Sequence, residues 1–188
     1  MSDLRKPSPP PALSHAPAAV SVWDLPLRLI HWTLAASVLT AWFTANVFDT
    51  VHEIAGYTVI ILLVLRLIWS AGGNRYARLH NSVRPLRITL AHLGQIMRGE
   101  TGRYLGLNPA GAAMAVALLL SLAVSSISGW MQVTERYFGN EWVERVHTWS
   151  SNLVLVLACV HIISVLLVSV LQKENLVRAM ITGKKRSR

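Results

Sequence analysis

Four long apolar segments dominate the pattern of hydrophobic and polar positions along this 188-residue chain. They cover approximately residues 27–46, 52–70, 110–131 and 146–171. An α-helix needs roughly 20 apolar residues to cross about 30 Å of hydrocarbon, and each segment is close to that length. The pattern therefore predicts an all-α integral membrane protein, folded as a four-helix bundle with four spans.

The segments between and around these spans are more polar. Residues 1–21 contain five prolines and no apolar run, which predicts a disordered cytoplasmic tail. In the loop over residues 71–109, the stretch 85–98 has leucines on one face and arginines around them, which predicts an amphipathic helix on the inner leaflet. A shorter stripe of this kind follows at 176–181. We expect one membrane domain over residues 22–186 and a basic end at 187–188.

Composition and charge fit a membrane protein and predict its orientation. The chain is 53% hydrophobic and 14% charged, with a mean hydropathy of +0.43. Of its 18 Lys and Arg residues, only Arg136 and Arg145 lie outside the tail, the 71–109 loop, the C-terminal end and the adjoining helix ends. Basic residues favour the cytoplasmic side, so we expect both termini and the 71–109 loop to lie in the cytoplasm. This bias accounts for the net charge of +9 without nucleic acid, which we do not expect as a partner.

Histidines inside or at the rims of the spans are the candidate functional residues, because imidazoles are costly in hydrocarbon. His147 and His161 lie fourteen residues apart, about 21 Å or four helical turns, and so share one face near opposite membrane surfaces. By depth, His31 should face His161 near the cytoplasm, and His52 should face His147 near the periplasm. Two such pairs are suited to hold two haem groups, one above the other.

Three further residues are candidates for the cofactor sites. Gly56 shares the face of His52, where an absent side chain permits close approach. Arg66 and Arg28 lie at the depth of the cytoplasmic pair, where each guanidinium either bonds a haem propionate or extends to the lipid headgroups. A single rim histidine is often only an interfacial polar residue, so the prediction depends on the set of four. The other histidines are expected to be solvated or interfacial: His15, His80 and His92.

The cysteine count restricts the type of haem. Cys159 is the single cysteine, so the Cys-x-x-Cys-His motif of covalent haem attachment is absent and any haem must be of the b type. Iron with histidine on both axial positions has no open site and should transfer electrons rather than bind a substrate. We therefore assign no catalytic residue.

An ordered set of motifs resembles the bacterial cytochrome b561 family, whose superfamily includes the b-type cytochrome subunits of nickel–iron hydrogenases. The motifs lie at Val22–Trp32, His52–Tyr57, Leu65–Trp69, Arg103–Gly111 and Glu174–Lys184. The resemblance covers residues 22–186, and the family's four axial histidines correspond to His31, His52, His147 and His161. One position departs: Leu107 stands where relatives often carry a histidine that is not an axial ligand. A proton or quinone role at that position is therefore in doubt.

The resemblance implies a location in the bacterial inner membrane. It also implies electron exchange with the quinone pool, as ubiquinone or menaquinone, and with a periplasmic c-type cytochrome or other redox protein. The alternative is a membrane anchor subunit of a hydrogenase- or dehydrogenase-like complex. A metal-ion transporter would need carboxylates within the spans, whereas the nearby ones lie at the rims: Asp24, Asp49 and Glu53. The acidic outer loop around Glu135, Glu141 and Glu144 is either a docking surface for a basic partner or simply solvated. The sequence is also compatible with a homodimer.

Overall fold

The computed structural model of the protein describes residues 19–74, 76, 78, 82–100, 102 and 104–186. Within these ranges the chain forms six helices and two short strands. In chain order they are β1 (Ala19–Ser21), α1 (Leu25–Thr44), α2 (Asp49–Gly72), α3 (Leu86–Met97), α4 (Pro109–Gln132), α5 (Glu141–Leu171), α6 (Leu176–Thr182) and β2 (Lys184–Arg186). The helical fold is confirmed. Most of the predicted tail, the 187–188 end, His15 and His80 lie outside the described residues.

Three of these helices, α2, α4 and α5, are long and apolar enough to cross a membrane. Helix α1 has 20 residues and therefore a length of about 30 Å. Arg28 and His31 lie in its first two turns and lower its mean hydropathy, so it is not among the three. A fourth span remains a prediction.

Polar side chains define where the helices begin. Asp24 precedes α1 and accepts a hydrogen bond from the Leu27 amide through Oδ1 at 3.1 Å. Asn108 precedes α4 and accepts from the Gly111 amide at 2.6 Å, with Pro109 as the first helical residue. Asn140 likewise caps α5, so this helix begins at Glu141, five residues earlier than predicted. His147 consequently lies in the second turn of α5 and does not open it.

The helices pack in a chain of pairs. Helix α1 packs along α2, and α4 packs against both α2 and α5. Buried side chains from α2, α4 and α5 form one apolar core: Val59, Leu63, Leu122 and Val154. Leu34 and Val38 of α1 pack at the edge of this core. On α5, the core residue Val154 lies midway between His147 and His161. Side chains from α1, α2, α4 and α5 therefore meet at the same depth.

A short ribbon joins the two ends of the described chain. Strand β1 pairs antiparallel with β2 in the register Ala19↔Arg186, Val20↔Lys185 and Ser21↔Lys184. The prediction of a disordered tail as far as residue 21 is therefore wrong for its last three residues. They are ordered because their backbone pairs with β2 and because the adjacent Val22 is fully buried. The residue before α1 and the residues after α6 therefore lie at the same end of the helical assembly.

Helix α3 lies inside the stretch predicted to be amphipathic. Its leucine stripe is exposed, as are Ile88 and Met97. The opposite face contains Thr89, His92 and Ile96, all buried, and α3 packs on α4. Of the two predicted positions for His92, the solvated one is therefore wrong, and an interfacial one stays a prediction. The residue is 4% exposed, and its ring meets the Tyr104 ring edge-on, with 5.3 Å between the two centroids.

Replacing Asp24 with Ala should destabilise the α1–α2 pair, because one carboxylate serves both helices. It caps α1, and Trp69 Nε1 of α2 donates to both of its oxygens at 3.1 Å. Loss of the cap alone costs about 1 kcal/mol, so Asp24→Ala should unfold at a lower temperature in detergent. Asp24→Asn retains an acceptor oxygen and should lose less. Equal melting temperatures for Asp24→Ala and the wild type would contradict this role.

Candidate functional site

The four membrane histidines come together as two pairs. The rings of His31 on α1 and His161 on α5 have centroids 6.4 Å apart with an interplanar angle of 66°. The rings of His52 on α2 and His147 on α5 have centroids 6.2 Å apart with an angle of 88°. These are the two combinations expected from depth. Their role as ligands remains a prediction.

The spacing of both pairs fits two imidazoles on opposite sides of one metal ion. A metal–imidazole bond is about 2 Å long and the ring centre lies about 1 Å beyond the nitrogen, so the two centroids should be about 6 Å apart. Within the described ranges, no three His, Cys, Asp or Glu side chains form a metal-binding group. Two imidazoles at this spacing would be suited to the two axial positions of a metal ion whose other four ligands come from a macrocycle such as haem.

Backbone carbonyls orient the rings of the pair formed by His52 and His147. His52 Nδ1 lies 2.7 Å from the carbonyl oxygen of Ala41, and His147 Nδ1 lies 2.9 Å from that of Ser125. Because a carbonyl oxygen only accepts, each Nδ1 must carry the proton and donate it. Each Nε2 then keeps its lone pair for a metal, and neither makes a hydrogen bond within the described part of the chain.

Gly129 of α4 allows His147 to approach this helix closely. A Cβ atom on Gly129 would lie 2.9 Å from Cε1 and 3.1 Å from Nδ1 of the His147 ring. The Ser128 hydroxyl lies 3.5 Å from the same Nδ1. Neither residue was among the sequence-predicted site residues, because the apolar segment 110–131 contains no histidine, cysteine or carboxylate that would mark it as part of a site. A glycine at the same depth as a predicted ligand was the available signal.

Arg66 and Arg28, both predicted near the cytoplasmic pair, have different surroundings. Arg66 is half-buried, its Nη1 donates to the Ser70 hydroxyl at 2.8 Å, and it lies within electrostatic range of His31. Arg28 instead donates from Nη2 to the carbonyl oxygen of Ile181 in α6. Arg66 therefore borders the histidine pair, whereas the Arg28 guanidinium is held by the end of α6.

The space around Gly56 is open. A Cβ atom on Gly56 would have no neighbour within 4 Å, so protein packing does not require glycine here. Between the two histidine pairs, α4 and α5 are in direct contact. Ser151 Oγ lies 2.8 Å from Ser125 Oγ, and Val154 belongs to the apolar core. Open space therefore lies beside Gly56, one turn along α2 from His52, whereas α4 and α5 are in contact at the middle of α5.

Comparison of the sequence with known proteins gives one family match and several similar proteins. The sequence profile of the family described as prokaryotic cytochrome b561 matches residues 22–183. A protein of Cupriavidus necator named "Probable Ni/Fe-hydrogenase B-type cytochrome subunit" is 22% identical, over 88% of this chain and 86% of its own. Proteins with the same name from Bradyrhizobium diazoefficiens and Azotobacter vinelandii are 22% and 23% identical, over 90% and 88% of this chain and 87% and 88% of their own. No solved structure matches significantly.

Gly129→Ala should perturb one haem of the purified protein and leave any other unchanged. The added methyl group would overlap the His147 ring and displace it, and changes that disturb ligand orientation cost about 10- to 100-fold in metal affinity. Low-temperature electron paramagnetic resonance (EPR) and haem content would detect the change. Gly72→Ala is the control, since nothing lies within 4 Å of a Cβ atom there. Identical spectra for both variants would argue against this contact.

Proposed function

Because the chain belongs to the prokaryotic cytochrome b561 family, we propose that it is a four-span, di-haem electron carrier of the bacterial inner membrane. Family membership makes it a membrane b-type cytochrome of electron transfer, with haem b as its cofactor. The number of haems, the ligands and the redox partners are parts of the proposal. The observation that carries it is the presence of two histidine pairs, each at the spacing of axial imidazoles.

In this proposal His31 and His161 hold the haem nearer the cytoplasm, and His52 and His147 hold the one nearer the periplasm. A haem with histidine on both faces supplies reversible one-electron transfer without an open coordination site. The carbonyl oxygens of Ala41 and Ser125 orient the periplasmic rings. Arg66 has no carboxylate within 4 Å among the described residues, so its guanidinium is available for a propionate.

The fourth span and the orientation are supported by packing and charge. Helix α1 packs along α2, which is apolar enough to cross the membrane. The β1–β2 ribbon requires that both ends of the described chain lie on the same side. Basic residues concentrate at that end and in the 71–109 loop, which makes it the cytoplasmic side.

We assign a quinol, as ubiquinol or menaquinol, as the electron donor and a periplasmic redox protein such as a c-type cytochrome as the acceptor. The side that we assign to the periplasm has exposed carboxylates in the connection before α5 and in its first turn: Glu135, Glu141 and Glu144. Such a surface favours a basic partner by electrostatic attraction.

The second candidate function is a membrane anchor subunit of a hydrogenase-like complex. Three curated relatives have names of that kind, and the alignments cover 86–88% of their length. The two functions use the same haems and differ in the partner. Co-purification of the chain from native membranes with a large catalytic subunit would favour the anchor, and isolation without one would favour the carrier.

Replacing His161 with Ala should remove one of two haems, because the pair formed by His52 and His147 is not altered. Haem content should fall from about two per chain to about one, and one low-spin EPR signal should disappear. His92→Ala is a matched control, since it removes a buried histidine that belongs to neither pair. Retention of both haems in His161→Ala would contradict the ligand assignment.

A titration of the detergent-purified protein with a reduced quinone tests the proposed donor. Haem absorbance is followed, and dithionite gives full reduction as the endpoint. We expect the quinol to reduce a substantial part of the dithionite-reducible haem. Reduction by dithionite alone would reject the quinol and indicate a protein donor. Absence of haem absorbance would reject the whole proposal.

A further inference from the structure

The start of α1 and the end of α6 are joined by a set of backbone contacts that we call the clasp. It consists of β1, Val22, Trp23, Gly183 and β2. Besides the pairing of the strands, the amides of Val22 and Trp23 both donate to the carbonyl oxygen of Gly183, at 2.8 and 3.1 Å. The clasp therefore fixes the residues immediately before α1 to those immediately after α6.

Side chains bury the clasp against the rest of the protein. Lys185 is only 6% exposed, its ammonium group donates to the carbonyl oxygen of Tyr104 at 3.2 Å, and it lies 5.8 Å from the centre of the Trp23 ring. Arg28, one turn into α1, donates to the carbonyl oxygen of Ile181. Contacts of Lys185 with Trp23 and of Arg28 with Ile181 thus converge where α1 begins.

Gly183 is required by the geometry of the clasp for two reasons. Its φ angle is +80°, a left-handed conformation that residues with a side chain rarely adopt. A Cβ atom there would also lie 2.5 Å from the carbonyl oxygen of Trp23. Any larger residue would separate the two strands or displace Trp23.

The clasp acts where the helices carrying one histidine pair have little direct contact. The extensive helix contacts are α1 with α2, α2 with α4, and α4 with α5, whereas α1 and α5 do not pack extensively on each other. The rings of His31 and His161 nevertheless meet across this separation. Because α6 follows α5 closely, the clasp is a short connection between the cytoplasmic ends of α1 and α5.

We propose that the clasp is a positioning element that sets the spacing of His31 and His161. The inference rests on the proposed function, in which these two residues bind one haem. Productive ligand geometry must be held within about 0.5 Å. Without the clasp, the extensive packing among the described residues ties α1 to α5 through α2 and α4, and Arg28 alone bonds α1 to the end of α6. The pair of His52 and His147 should not depend on the clasp, since α4 contacts both of its helices. The carbonyl oxygens that orient its rings belong to α4 and to the last turn of α1, at the opposite end of α1 from the clasp.

Gly183→Ala tests the proposal, with Gly99→Ala as the matched control. Gly99 also has a positive φ, +76°, but nothing lies within 4 Å of a Cβ atom there. We expect Gly183→Ala to shift or lose the EPR signal that His161→Ala abolishes and to change the midpoint potential of that haem. The signal that depends on His147 should be unchanged, and Gly99→Ala should alter neither.

Two further measurements separate positioning from a general loss of folding. Ser21 and Lys184 face each other in the ribbon, so Ser21→Cys with Lys184→Cys, in a Cys159→Ser background, should cross-link the clasp. Oxidation of this pair should restore the cytoplasmic haem signal in Gly183→Ala. In haem-free protein, spin labels at residues 29 and 167, both exposed, should show a broader distance distribution after Gly183→Ala and a narrower one after oxidation.

The outcomes distinguish failure of this inference from failure of the proposed function. If Gly183→Ala and Gly99→Ala behave alike while His161→Ala removes one haem, the clasp proposal is wrong and the ligand assignment stands. If His161→Ala removes no haem, the proposed function itself fails. Should Gly183→Ala not fold, Lys185→Met is the milder variant. It must then alter the same haem signal and leave the other unchanged, and an unaltered signal would overturn the proposal.

Discussion

The structure depends on holding polar imidazoles in pairs inside an apolar helical assembly. An unpaired histidine in hydrocarbon is unfavourable, and two histidines from different helices face each other only if those helices have fixed depth and rotation. Helix α5 links the depth and the rotation of the two pairs, because it supplies one imidazole to each pair. The partner helices α1 and α2 form a hairpin whose two histidines lie near opposite ends. The rest of the packing has to preserve the distance between the two rings of each pair.

Helix α4 preserves them without contributing a ligand. It packs against both α2 and α5, and Leu122 belongs to the apolar core between the pairs. At the end near His147 its small residues allow close approach, through Gly129 and the carbonyl oxygen of Ser125. At the other end α4 contacts α3. The separation of the α1–α2 hairpin from α5 is thus determined largely by a helix whose sequence contains no obvious functional residue.

The differences between sequence and structure have local physical causes. Helix α5 begins earlier than the apolar pattern predicts, because the Asn140 side chain caps a first turn whose hydropathy is lowered by Glu141 and Glu144. His92 is buried because the face of α3 opposite its leucines packs on the protein. Arg28 and Arg66 have similar depths in the sequence, yet a carbonyl oxygen at the end of α6 binds Arg28 and leaves only Arg66 beside the pair.

The sequence by itself determined the helical class, three of the apolar helices and the combinations in which the histidines meet. These properties follow from periodicity, length and the constant rise of an α-helix, all of which are local. Only the tertiary structure decided which ring nitrogen of His52 and of His147 donates a hydrogen bond, and that a side chain at residue 129 would overlap the His147 ring. It also decided that the Val22 amide donates a hydrogen bond to the carbonyl oxygen of Gly183. Such contacts join residues 11 to 161 positions apart. They depend on the relative rotation and tilt of helices, which no local pattern in the sequence specifies.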